Sequence, residues 1–302
     1  MCTFNGAKYL SMQLDSILKQ TVQAFEIIIV DDSSTDNTID IIKDYSSRYS
    51  TIKYYVNDQN VGYVRNFSLA ISRTSGDYVA LADQDDIWMN NHLEKLMNGI
   101  GEKAACVGDA MMIDAEGKEL GMKFSELKQN YYTPEGDVPK AYRIIYNASP
   151  YQGASMLVDR QWVNDLLPFP SGVGFHDTFL SCCACLTKGL AVIPDVITRY
   201  RMHHNNVTTT WRFSILQEVK RRKHFVCFSN KPLIIDHLQE HGSSITKEGT
   251  DFIEEFRHVL DLDKENKRMR VLQIKNRHYR EIYSCKSYKY ILIRSLHFLF
   301  AR

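Results

Sequence analysis

The 302-residue chain is 44% hydrophobic and 24% charged, with a formal net charge of +1. That length suits two units or one large α/β domain with additions, and with no run of 18 or more apolar residues a membrane-spanning helix is not expected. The N-terminus does not signal secretion, and seven cysteines, an odd number without a spaced framework, point to reduced thiols in a cytoplasm.

In chain order, "AKYLSMQLDSILKQ" (7–20) carries Leu10, Leu14, Ile17 and Leu18 at helical spacing, and "FEIIIVDD" (25–32) is a short apolar run ending in acid. "STDNTIDIIKDY" follows, with Ser34 or Thr35 placed to cap a helix whose first turn holds Asp36. "TIKYYVN" reads as a strand, "VGYVRNFSLAISRT" as a helix, "GDYVALAD" as a strand, "NNHLEKLMNGI" as a helix and "AACVGDAMMID" as a strand. This alternation predicts an α/β fold with a mainly parallel sheet and helices on both faces. Residues 120–150 look loop-rich. "GASMLVD" reads as a strand, "HDTFLSCCACLTKG" as a helix closed by Gly189, and "LAVIPDVITRY" as a strand. Within "SCCACL" (181–186) adjacent cysteines on one helix point in different directions, which favours a buried helix with small side chains over a metal site.

Ligands of such sheets sit beyond the carboxyl ends of the strands. Two strands end in acid, one before Asp31 and Asp32 and one before Asp83, so both clusters belong on one rim. "ALADQDDIW" (80–88) sets Asp83, Asp85 and Asp86 within four positions. Like charges about 5 Å apart repel by roughly 3 kcal/mol at an effective dielectric near 20. A hard dication such as Mg²⁺ or Mn²⁺, held by carboxylates and substrate phosphates, turns that repulsion into attraction. The competing reading is that Asp83 and Asp86 cap the helix starting near Asn90.

Six segments together, "CTFNGAKYL" (2–10), "IIIVDDSSTDNT" (27–38), "NVGYVRNFSLAI" (60–71), "SGDYVALADQDDIW" (75–88), "FHDTF" (175–179) and "YRMHHNN" (200–206), resemble family 2 of the inverting, GT-A-fold glycosyltransferases, above all bacterial members that build surface polysaccharides, a rhamnosyltransferase-like type. The resemblance covers residues 2 to about 210. It implies a GT-A catalytic domain over 1–210, with a nucleotide-sugar half (1–100) and an acceptor half (101–210), followed by a helical region over 211–302. Asp83-Gln84-Asp85 looks like the DxD motif, with Asp85 the direct metal ligand and Asp83 near the ribose or in the metal shell. Asp32 matches the position that meets the N3 of uracil or thymine, and Thr3 to Asn5 line the same pocket. Arg65 is placed for the donor's phosphates or sugar; as a bare residue it equally suits a surface salt bridge.

Asp177 stands where the family places the acceptor-site carboxylate. Inversion needs in-line attack by an acceptor hydroxyl, and a carboxylate in reach can take that proton, while a metal stabilises the departing diphosphate. The family's usual pair is "ED"; here His176 replaces the Glu. A helix cap is the plain alternative for Asp177. His203 or His204 corresponds to the segment that closes over the diphosphate, against a purely structural histidine. Gly153 falls where relatives bring backbone close to the acceptor, against an ordinary strand-entry glycine.

Relatives place an apolar strand before the "CTFNG" segment, where this sequence has Met1. The first strand is thus expected to be absent, at a cost of several kcal/mol, with about five more aliphatic residues encoded upstream.

Residues 1–210 carry a balance of −7 and residues 211–302 one of +8. "KENKRMRVLQIKNRHYR" (264–280) and "KSYKYILIRSLHFLFAR" (286–302) mix cations with apolar residues, which suits either an anionic membrane surface or packing on the catalytic domain. No nucleic-acid module accompanies the charge. The function expected is sugar transfer from a UDP or dTDP donor to a hydroxyl of a glycan or glycolipid acceptor at the inner membrane face. The alternatives are nucleotidyl or phosphoryl transfer at an acidic pocket, or a non-catalytic protein keeping the fold.

Overall fold

A computed structural model of the chain describes residues 1–127, 134–146, 149–203, 230–241, 244–265, 267–278 and Ile282. His204 and the stretch 286–302, both singled out in the sequence, lie outside the described residues.

The first half alternates strands and helices as its periodicities predict. A three-stranded parallel sheet is ordered β1 (Cys2–Thr3), β2 (Ile27–Asp31) and β3 (Ile52–Val56). Every residue of β2 is buried, which explains its unbroken Ile-Ile-Ile-Val run. Helices α1 (Leu10–Leu18), α2 (Thr38–Arg48) and α3 (Tyr63–Ser72) flank it, α1 burying Leu10, Leu14 and Ile17 along one stripe. The start of α2 differs from the expected cap. Its N-cap is Asn37, because Ser34 is drawn back onto Asp31, to which both its amide and its hydroxyl donate.

β1 is present, as a two-residue stub rather than the absence expected. Cys2 pairs with Val30 and Thr3 with Asp31. Beneath it, an apolar cavity of about 260 Å³ separates Ile27 and Ile28 of β2 from the segment Tyr78–Ala80, and Phe67, Ile71 and Leu93 also line it.

The second sheet runs β4 (Tyr78–Ala80), β8 (Met156–Asp159), β6 (Ala105–Ile113), β9 (Leu190–Arg201) and β5 (Ile87–Trp88), with β7 (Glu119–Lys123) paired to β6. β6 and β9 are parallel; the other pairings in this sheet are antiparallel. Helix α4 (His92–Ile100) packs on β6 and β9. Residues 120–150, expected to be loop-rich, contain the end of β7, the short α5 (Phe124–Leu127) and the ten-residue α6 (Asp137–Tyr146). Pro139, in the first turn of α6, is tolerated there because the first helical amides have no intrahelical acceptor.

After α7 (Arg160–Asn164) comes α8 (His176–Leu186), in which nine of eleven residues are buried. Small Ser, Cys and Ala side chains let it pack on several sides at once. Cys182, Cys183 and Cys185 are free, buried thiols with raised pKa values because burial disfavours the thiolate. Helices α9 (Lys231–His241), α10 (Lys247–Lys264) and α11 (Arg268–Arg277) join the same core, contributing Ile235, Leu238, Phe252, Phe256, Val259, Val271 and Ile274. The apolar side of α11 therefore packs on the protein. Among the described residues, no helix is long and apolar enough to cross a membrane.

Arg201, at the end of β9, is fully buried. Its amide donates to Asp86 Oδ1 at 2.9 Å and its Nε to Asp85 O at 2.8 Å, while Nη1 donates to Asp114 O and Ala115 O. Its guanidinium also lies 4.6 Å from the Tyr9 ring centroid. One side chain thus joins the acidic loop, the β6–β7 turn and the entry to α1. Arg201→Met should deprive Asp85 O and Ala115 O of this donor, while Asp114 O keeps the Gly117 amide, and cost about 3 kcal/mol or more in urea unfolding.

His92 stacks on Trp88 at 3.9 Å and donates from Nδ1 to Ile197 O at 3.1 Å. Burial pushes its pKa down from 6.5 to about 3, so in that window the unfolded chain binds a proton that the folded chain refuses. Stability should fall as pH drops below 6.5, by up to about 1.4 kcal/mol per unit from this residue. In His92→Phe, which retains a stacked ring, urea midpoints measured from pH 7 to 4.5 should show a shallower decline.

Candidate active site

The two acidic strand ends adjoin, with Thr3 and Phe4 threaded between them. Asp31 is fully buried and structural: it accepts from the Thr3 hydroxyl at 2.7 Å and from both Ser34 donors. The Thr3 hydroxyl is thereby spent inside the protein. Asn5 has left-handed backbone (φ 49°), its amide donates to the Ser34 hydroxyl, and its Oδ1 accepts from Thr35 N at 2.8 Å. Asp32 is buried and accepts three bonds, from Asn57 Nδ2 and Val61 N on Oδ1 and from Gly62 N on Oδ2. It therefore ties down the loop leading into α3, and Oδ2 keeps acceptor capacity for one further donor. Arg65, on the first turn of α3, is exposed, and no ion pair joins it to another described residue.

In the acidic loop the three carboxylates have three different fates. Asp83 is pushed up to about 7, by burial first and then by the charges of Asp85 and Asp177. Asp85 Oδ2 lies 2.8 Å from His203 Nε2. Asp86 is buried, with Oδ1 on the Arg201 amide and Oδ2 unpartnered, and its pKa is raised by burial and by its two acidic neighbours. None of them caps α4, whose N-cap is Asn91. His203 is positioned from two sides, by Asp85 and by the Tyr9 ring at 5.1 Å.

Asp177 is in the first turn of α8, after the N-cap Phe175, so it is not the capping residue. Its charge adds to the upward shift of Asp83, after burial and Asp85, and to that of Tyr63, which burial already pushes up. The Tyr63 hydroxyl donates to Gly174 O in the approach to α8. Lys231, at the start of α9, is pushed down by burial, with Cys182 and Asp177 acting in the opposite sense. His176 stacks on Phe67 at 3.9 Å, its ring nitrogens have no partner, and burial lowers its pKa. A Cβ at residue 153 would meet His176 Nε2 at 2.4 Å, so Gly153 is required by this imidazole.

Among the described residues no three His, Cys, Asp or Glu side chains form a ready metal cage. Asp85, with Asp83 beside it and His203 in contact, fits a different kind of site. Mg²⁺ or Mn²⁺ is commonly held by one or two carboxylates and completed by substrate phosphates and water. Arg201, Tyr9 and Lys231 escape sequence reasoning. For Arg201 the signal available was a cation closing an apolar strand, in "ITRYR".

The model of the family described as "Glycosyl transferase family 2" matches residues 1–163, more than half of the chain. An uncharacterized glycosyltransferase of Haemophilus influenzae is 25% identical over 243 residues, covering 76% of this chain and 73% of that protein. The putative teichuronic acid biosynthesis glycosyltransferase TuaG of Bacillus subtilis is 34% identical over 102 residues, 34% of this chain and 40% of its own. Among solved structures, S. aureus TarS 1–349 in complex with UDP-GlcNAc superimposes with a TM-score of 0.56 at 18% identity, covering 93% of this chain and 80% of that one. The mannosyltransferase PcManGT of Pyrobaculum calidifontis, in complex with GDP-Man and Mn²⁺, gives 0.54 at 14% identity, covering 98% and 84%. These structures share the fold, and the matched family model, spanning both acidic strand ends, assigns the chain: it is a member of glycosyl transferase family 2.

Proposed function

We propose that the protein transfers a sugar, hexosyl or rhamnosyl, from a UDP or dTDP donor, with inversion, to a hydroxyl of a glycan or glycolipid acceptor in cell-surface polysaccharide synthesis. The observation that carries this is the acidic loop beside the Asp32 strand end, in which Asp85 Oδ2 meets His203 Nε2 at 2.8 Å, Asp86 accepts from the Arg201 amide and Gln84 pairs with the backbone of Phe4. Asp177, whose charge adds to the raised pKa of Asp83 after burial and Asp85, is the further carboxylate that an attacking hydroxyl would need. The TuaG name and the nucleotide-sugar complexes of the fold neighbours support the same reading.

In this reading Asp32 and the Thr3–Asn5 segment hold the nucleoside, and Arg65, exposed and without an ion pair among the described residues, approaches the donor's phosphates or sugar. Asp85, with Asp83, would hold Mg²⁺ or Mn²⁺, which supplies positive charge to the departing diphosphate. His203 keeps the Asp85 carboxylate in place from the opposite side. Asp177 takes the proton of the acceptor hydroxyl as the new C–O bond forms, and α8 fixes its position. Lys231 brings a cation near that carboxylate from the C-terminal helices.

Asp177→Asn should lower turnover by about 10²- to 10⁴-fold while UDP still binds in the presence of Mn²⁺. A donor screen that reads released nucleotide diphosphate, run on both proteins, checks this; unchanged turnover removes Asp177 from the mechanism.

A further inference from the structure

Gln84 stands between the two candidate metal ligands, yet its side-chain amide is committed elsewhere. Its Oε1 accepts from Phe4 N at 2.8 Å and its Nε2 donates to Phe4 O at 3.0 Å. The amide thus pairs with both backbone groups of one residue, as a neighbouring strand would. Gly6 makes this possible: a Cβ there would lie 2.1 Å from Gln84 Oε1.

The other anchors of the loop come from β9 and the residues that follow it, and reach the N-terminal part of the chain through the Tyr9 ring at the entry to α1. Asp85 is held through its carbonyl by Arg201 and through its carboxylate by His203, and Asp86 is held by the Arg201 amide. Among the residues 84–86, Gln84 alone is hydrogen-bonded to the Thr3–Asn5 segment, 80 positions away in the chain.

We infer that Gln84 is a positioning residue that links the nucleoside-binding segment to the metal-binding loop, so that a part of the coupling between nucleotide and metal, beyond the direct contact of metal with phosphate, passes through its side chain. This rests on the nucleotide-sugar reading given above. A nucleotide that immobilises Phe4 and Asn5 also immobilises the loop between Asp83 and Asp85, and a metal bound there has less disorder left to remove. Linkage requires the effect to be equal in both directions.

Gln84→Met fills similar space without an amide, and Gly6→Ala displaces the amide without touching residue 84. Calorimetry on the full chain would measure UDP affinity with and without Mn²⁺, and Mn²⁺ affinity with and without UDP. Hydrogen exchange at the Phe4 amide would be followed in the ligand-free protein. The expected result is faster exchange at Phe4 and a coupling factor reduced about tenfold in either variant, with the double variant no worse than the single ones. A coupling factor unchanged in Gln84→Met, or additive losses in the double variant, would overturn the inference while leaving the donor reading intact. If the unmutated protein binds none of UDP, dTDP or GDP with Mn²⁺, the donor reading fails and this inference fails with it. Should Gln84→Met not fold, Gly6→Ala decides alone by the same coupling measurement.

Discussion

A guanidinium with no access to water holds this site together. Burying a charge is costly unless hydrogen bonds and a counter-charge compensate for lost hydration. Arg201 meets that condition with backbone carbonyls from two separate loops, the Tyr9 ring and the neighbouring Asp86 carboxylate. Its donors can be satisfied only when β9, the acidic loop and the β6–β7 turn are all in place. The order of the site is thereby made part of the order of the fold.

Around that anchor the protein keeps an arrangement that folding alone would disfavour. Asp83 and Asp86 both have raised pKa values, and the largest cause in each case is burial, with carboxylate neighbours adding to it. Local rules of stability are commonly broken at functional sites and offset elsewhere. Here Arg201 offsets part of the repulsion at Asp86, and His203 meets Asp85. One tetrapeptide divides its contacts: Asp85 meets His203, Gln84 pairs with the backbone of Phe4, and Asp86 accepts from the Arg201 amide.

Periodicity made most elements legible. The buried Ile27–Val30 run, the stripe on α1 and the compact residues of α8 announce their environments directly. α6 was hidden because Pro139 reads as a breaker until its place in the first turn is known. Ser34 looked like a cap, and its capture by Asp31 depends on how the strand end turns. The acidic loop and Asp177 stood out in the sequence by their residue types. The influence of Asp177 on Asp83 did not, because it depends on how α8 is set, and neither did the fastening of Asp32 to a loop some thirty positions downstream. The C-terminal third advertised its charge, while its core residues Phe252, Phe256 and Val259 were obscured by the charged Glu254, Glu255 and Arg257 between them.

The enclosure of α8 limits what can replace its residues. A helix with nine buried residues of eleven accepts few substitutions without a void or a clash. Altering the helix that carries Asp177 therefore disturbs the core before it disturbs any exposed surface.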